Sequence, residues 1–218
     1  MVNELKRYAN VVRLMVLFIF LAPLAMQAQT KPQNPLSAFG EEWNDPKYDA
    51  CNTAAKAKYM SADERETIWI LNMARTEPAL FGKTVVRPYS QRNGIDMTSA
   101  TYYLSLMKEL RNLQPLPILQ PDQVCFTSAQ CHAVSAGKTG YTGHDRQSQQ
   151  CRDVKKFNGE CCSYGVEEPI GVVVTLLVDE DVPSLGHRNI LLGSYAKIGV
   201  ATRPHKSYRT NTVLDLLR

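Results

Sequence analysis

The sequence predicts an α+β fold, with helices through most of the chain and a small antiparallel sheet at its end. Two observations carry that expectation. Apolar residues recur at helical spacing in four segments between positions 61 and 182, each bounded by capping or breaking residues, whereas strict alternation begins only at Ala196. The chain also shows no internal repeat and no low-complexity tract. Its 218 residues, 44% hydrophobic and 21% charged, suit one globular domain plus accessory segments.

Residues 1–28 read as a secretory signal peptide. Lys6, Arg7 and Arg13 precede an uncharged run from Leu14 to Met26, and the small residue Ala28 stands at the cut. The run is shorter than the roughly 20 residues a spanning helix needs. The mature chain is therefore expected to be secreted, extracellular or periplasmic, without a transmembrane span. Residues 29–60, polar and interrupted by Pro32, Pro35, Gly40 and Pro46, predict a loose N-terminal arm tethered by Cys51. The domain proper is expected over 61–218.

Within it, Ser61 and Glu64 form a capping box ahead of a helix that carries Ile68, Leu71 and Arg75 and stops before Pro78. Thr98 or Ser99 caps a second helix with Tyr103, Leu104, Met107 and Leu110 on one stripe. After a turn holding Pro115 and Pro117, Pro121 and Asp122 open a third helix through Ala136, ending at Gly137. Cys125, Ala129, His132 and Ala136 share a face of it. Pro169 starts a fourth helix, buried through Val172, Val173, Leu176 and Leu177 and ended by Val182 and Pro183. Residues 196–201 and 212–217 are the predicted strands, joined by 203–211.

Removing residues 1–28 takes away three basic residues and one acidic residue, which lowers the formal charge from +4 to +2. Such a balance, with basic residues scattered, gives no ground for a nucleic-acid partner. All six cysteines lie in the exported part, and an even count there favours disulfides. Cys125 and Cys131 on one helix are about 9 Å apart, too far to bridge, and Cys161 with adjacent Cys162 would close a strained ring. Each of the four is expected to pair elsewhere, and Cys151 with Cys161 or Cys162 would close a short loop.

Four ionisable groups stand out between positions 144 and 187: His144 and His187, each after a glycine, Glu160 in GECC, and Asp179 at the end of an apolar run. Two imidazoles and two carboxylates suit a cleft that binds a divalent cation or moves protons. His132 reads as a satisfied core histidine and His205 as a turn residue. The chain has no G-x-S-x-G elbow, no HExxH and no phosphate loop, and no organic cofactor is expected.

The segments IWILNMARTEP, LQPLPILQPDQVCFTSAQCHA, GHDR, GECCSYG and LLVDEDVPSLGHRNILL, followed by IGVA, occur in an order that resembles the CAP superfamily. That superfamily, with its SCP-like domain, comprises cysteine-rich secretory proteins, antigen 5 and pathogenesis-related 1 proteins; the likeness is to its bacterial secreted branch. The resemblance spans 64–217. It implies a three-layer α-β-α sandwich with a cleft lined by His144, His187, Glu160 and a second acid, which is Asp179, Glu180 or Asp181. Cysteines stand where relatives carry Asn-Ile after the first glutamate. The resemblance implies a non-catalytic binding domain that holds a divalent cation, zinc suiting two nitrogen donors plus oxygens, and an extracellular ligand. A secreted hydrolase using His144, His187 or Glu160, and a lipid or sterol carrier, are the other readings it implies.

Overall fold

Ser61 caps helix α1 (Ala62–Thr76) reciprocally: Glu64 N donates to Ser61 Oγ at 3.2 Å, and Ser61 N donates to Glu64 Oε2 at 2.6 Å. The computed structural model in which this is seen describes residues 33–94 and 100–218. The expected signal peptide and the Thr98 or Ser99 cap lie outside the described residues. On α1, Ile68, Leu71 and Arg75 are all fully buried. The Arg75 guanidinium donates there to the carbonyls of Pro117, Leu191 and Gly193.

Pro78 ends α1 and opens the next element, because its missing N–H is unneeded in a first turn. Helix α2 (Pro78–Phe81) runs through a π-type turn at Gly82–Val86 into α3 (Arg87–Arg92). Helix α4 (Thr101–Asn112) buries Tyr103, Leu106 and Leu110. The predicted stripe is corrected at Leu104, which is 48% exposed; Leu106 lies on the buried face instead.

Helix α5 (Gln123–Thr139) starts at Asp122, whose Oδ1 accepts from the N–H groups of Val124 and Cys125. It passes through Gly137 and ends at Gly140, the residue with left-handed backbone (φ 77°). Gly137 is required for another reason: a Cβ there would lie 2.1 Å from Pro204 O. The glycine lets the helix approach the sheet and does not stop it.

The short helix α6 (Gln149–Asp153) was not legible as a helix. Helix α7 (Pro169–Val178) ends at Asp179, before the predicted Val182–Pro183 stop, and α8 (Gly186–Leu191) follows. The class is therefore α+β, with eight α-helices and four strands among the described residues. The strand order is β1 (Gln120–Pro121), β3 (Lys197–His205), β4 (Arg209–Leu217) and β2 (Gly159–Tyr164). Strands β2, β4 and β3 are antiparallel, whereas the two residues of β1 run parallel to β3, so the sheet is mixed. The connection between β3 and β4 is a turn at 206–208, much shorter than predicted. Helix α5 packs on β3 and β4, α1 contacts β3, and α7 contacts the edge strand β2.

Two further expectations are corrected. Residues 33–60 are no loose arm: through three 3-10 turns they bury Leu36, Trp43, Tyr48, Cys51, Ala54 and Met60 in the main core. Trp43, fully buried, packs on Tyr48 and Phe81, and such aromatic burial offsets the entropy of ordering a polar segment. The described cysteines form one disulfide, Cys131–Cys151, with Cα atoms 5.3 Å apart. Cys51, Cys125, Cys161 and Cys162 are buried free thiols. Cys161 and Cys162 are consecutive in β2, where side chains alternate between faces, so their sulfurs point apart. Cys51 tethers nothing covalently, and its Sγ lies 3.6 Å from Thr76 Oγ1.

Candidate functional site

The loop between α5 and α6 presents His144. Gly143 precedes it with φ 123°, and a Cβ there would strike Tyr141 Oη at 2.8 Å, so only glycine fits. Tyr164 at the end of β2 holds this turn, accepting from Gly143 N at 2.8 Å. The Cys131–Cys151 bridge ties α5 to α6 and closes the chain around His144. The expected Cys151 partner is thus corrected to Cys131, and the closed segment contains the histidine itself.

His144 Nδ1 lies 2.9 Å from Glu160 Oε1. Glu160 is not on a loop: it is in β2, 2% exposed at the side chain, directly opposite Asp215 of β4. Arg146, also buried, joins the two acids, its Nη2 lying 2.5 Å from Glu160 Oε2 and 3.4 Å from Asp215 Oδ2. Burial pushes Glu160 toward the neutral form, but hydrogen bonds from His144, Arg146 and Asp215 outweigh it and hold the carboxyl well below its usual range. Burial, reinforced by the Glu160 charge, pushes Asp215 well above it. The pair therefore shares one proton, with Asp215 as the neutral acid. The bond to Glu160 raises the His144 pKa against the opposing effect of burial.

His187 is held differently. Asp179 has left-handed backbone (φ 57°) at the end of α7, which turns its side chain onto the start of α8. Its Oδ2 accepts from His187 N at 2.9 Å and Arg188 N at 3.3 Å, and its Oδ1 meets His187 Nδ1 at 2.7 Å. Leu185, the residue before α8, offers no capping side chain, so Asp179 supplies the cap from another helix. This is the partner that a carboxylate at the end of α7 requires. Glu180 and Asp181 are exposed, and Asp179 is the acid that meets His187. Arg188, fully buried, donates to the carbonyls of Leu177, Val178 and Tyr102 and to Ser105 Oγ, fastening α8 to α7 and α4.

The structure thus brings all four predicted residues together as two histidine–carboxylate pairs, with imidazole centroids 6.2 Å apart. Beside them a cleft of about 280 Å³ is lined by Cys162, Tyr164, Leu176, Asp179, Val182 and His187. Each Nδ1 is engaged by a carboxylate, the arrangement that orients an imidazole and leaves Nε2 for a cation or a proton.

Sequence reasoning missed Arg146, Asp215, Arg188 and Cys162. Asp215 had a signal, a lone charge inside an apolar strand. Two other histidines are corrected in part. His132 is fully buried on α5 with Nε2 2.9 Å from Gly143 O, but its Nδ1 has no partner among the described residues, so it is only half satisfied. His205 does sit at the β3–β4 turn, yet it is buried, accepting from Ser207 N and Tyr208 N and bonded to Tyr141 O. One ligand atom each from His132, Glu160 and Cys162 lie within 4.8 Å of one another, a buried group that could hold a metal ion.

No protein-family model matches the chain, and no curated protein matches it. Among solved structures it is similar to an outer surface protein from Borrelia burgdorferi, at 22% identity and a TM-score of 0.38. That match covers 57% of this chain and 96% of the other, and at this score it carries no argument about fold or function. Among the described residues no helix is long and apolar enough to cross a membrane.

Proposed function

We propose that the chain is an exported CAP/SCP-like domain of the three-layer α-β-α kind, whose cleft binds a divalent cation and, through it, an extracellular ligand without turnover. One observation carries this reading: His144 and His187 face each other at 6.2 Å, each with Nδ1 held by its own buried carboxylate. Both Nε2 atoms are then the free donors. Zinc suits two imidazoles with oxygen donors better than calcium does.

A histidine oriented by a carboxylate is also the arrangement of a general base, so hydrolysis is the second reading. Calorimetric zinc titration of the chain beside the His144→Ala/His187→Ala double variant tests the first. The parent is expected to bind one zinc per chain more than the double variant; equal binding in both would remove the cleft as its site. Hydrolysis would show as turnover that disappears with His187→Ala and follows a bell-shaped pH profile.

A further inference from the structure

The cysteines that depart from the CAP pattern bring a thiol to the inner wall of the cleft. Strand alternation puts Cys162 on the same face of β2 as Glu160. Its Sγ lies 3.8 Å from Gly143 O and 3.8 Å from His144 Nδ1. Under it, on α5, is His132, buried, with a ring nitrogen that has no hydrogen-bond partner among the described residues. One donor atom from each of His132, Glu160 and Cys162 falls within a 4.8 Å span, and no histidine–carboxylate pair of the cleft uses His132 or Cys162.

We propose that His132, Glu160 and Cys162 form a buried site for a thiophilic cation of the zinc class, which shares Glu160 with the His144 pair but uses neither cleft imidazole. The donor set decides the class. Imidazole nitrogen, carboxylate oxygen and thiolate sulfur together suit zinc and similar borderline cations, and exclude calcium and magnesium, which take oxygen donors. Burial, and then the Arg146 charge, keep His132 neutral, the form that ligates. Glu160 is balanced by the Arg146 guanidinium before the cation enters, and the thiolate formed at Cys162 on binding adds the negative charge that the cation meets. On binding, the Cys162 S–H bond breaks, the sulfur–metal bond forms and the proton goes to solvent. Cys162 also borders the open cleft, which supplies an entry path, and three protein donors leave a fourth position for water.

This site shares Glu160 with the cleft reading, and cobalt(II) separates the two, because only a thiolate ligand gives a sulfur-to-cobalt charge-transfer band in the near ultraviolet. The full chain is titrated with cobalt, its Cys131–Cys151 bridge intact and its other thiols reduced. The expected result is a band that saturates at one cobalt per chain, is displaced by zinc, persists in His187→Ala and Cys161→Ser, and is lost in Cys162→Ser and in His132→Gln. Cooperative unfolding of each variant checks that the fold is kept. A parent without the band overturns the proposal whatever the variants do, and so does a band that survives Cys162→Ser. Failure of the cleft reading looks different: the parent and the His144→Ala/His187→Ala variant then bind the same number of zinc ions, with the band kept in both.

Discussion

The two halves of the cleft solve one problem by different physics. Each fixes an imidazole through Nδ1 with a buried carboxylate. On the His144 side the carboxylate belongs to an edge strand and is held by charge: Glu160, Arg146 and a neutral Asp215 form a buried network. The histidine it holds is 55% exposed, on a loop closed by a disulfide. On the His187 side the carboxylate is held by the backbone of the helix it caps, and the histidine is 21% exposed. A charge network depends on pH and on every member being present, whereas a helix cap is local. The halves should therefore fail under different perturbations.

The largest expected effect is on the charged side. Arg146→Ala strands Glu160 as a buried charge and should cost about 3–5 kcal/mol in denaturant unfolding. Replacing Cys131 and Cys151 by serine should cost about 3 kcal/mol, the chain-entropy value for a loop of this size, and should raise exchange at the His144 loop amides more than at α8. If both halves loosen equally, the disulfide does not belong to one side.

Asp179→Ala removes the α8 cap and the His187 partner, with an expected loss of about 1–3 kcal/mol. Asp179→Asn keeps one acceptor oxygen and tolerates left-handed backbone, so it should cost less. A cost for Asp179→Ala equal to that of Arg146→Ala would erase the distinction drawn between cap and network.

The pH dependence sharpens the comparison further. Asp215 has a folded pKa raised above its unfolded value near 3.9, so it binds more protons folded than unfolded. Stability is then lost as pH rises from the unfolded value toward the folded one, at up to about 1.4 kcal/mol per pH unit for one proton. Asp215→Asn keeps the neutral shape and removes that slope, so its stability relative to the parent should rise with pH across this window. A parallel pair of stability–pH curves would show that Asp215 is ionised in the folded chain.

The smallest effect is at His144. Its raised pKa means that its bond to Glu160 contributes fully below the unfolded value of about 6.5 and is lost as pH rises through the folded one. Exposure screens the pair, so His144→Ala should cost well under about 1 kcal/mol even in acid, and less in alkali, while still abolishing cation binding in the cleft.

Much of this was legible locally. The Ser61–Glu64 box and the Asp122 start of α5 follow from side chains reaching backbone groups two or three residues away, and the sequence shows both partners. The glycine-flanked histidines, and Asp179 at the end of its apolar run, were also legible along the chain, whereas the end of α7 was placed too late. What failed was long-range. Gly137 reads as a stop because its approach to Pro204 is invisible along the chain. Residues 33–60 read as loose because Trp43 and Tyr48 find their core partners elsewhere, and no strand was expected at Glu160 because β2 exists only by pairing with β4. The even cysteine count favoured bridges, but four thiols are buried without one.

The sequence by itself determined the class, the main helices, the Ser61 and Asp122 caps, the late strands and the four polar side chains, since these rest on periodicity and on bonds within a turn of chain. Only the tertiary structure decided which acid meets which histidine, that Arg146 and Asp215 stand behind Glu160, that Cys131 closes on Cys151, and that His132 lies under Cys162. Those contacts join residues from about 8 to 69 positions apart. Their energies come from burial and shared charge, which exist only once the sheet and α5 have packed.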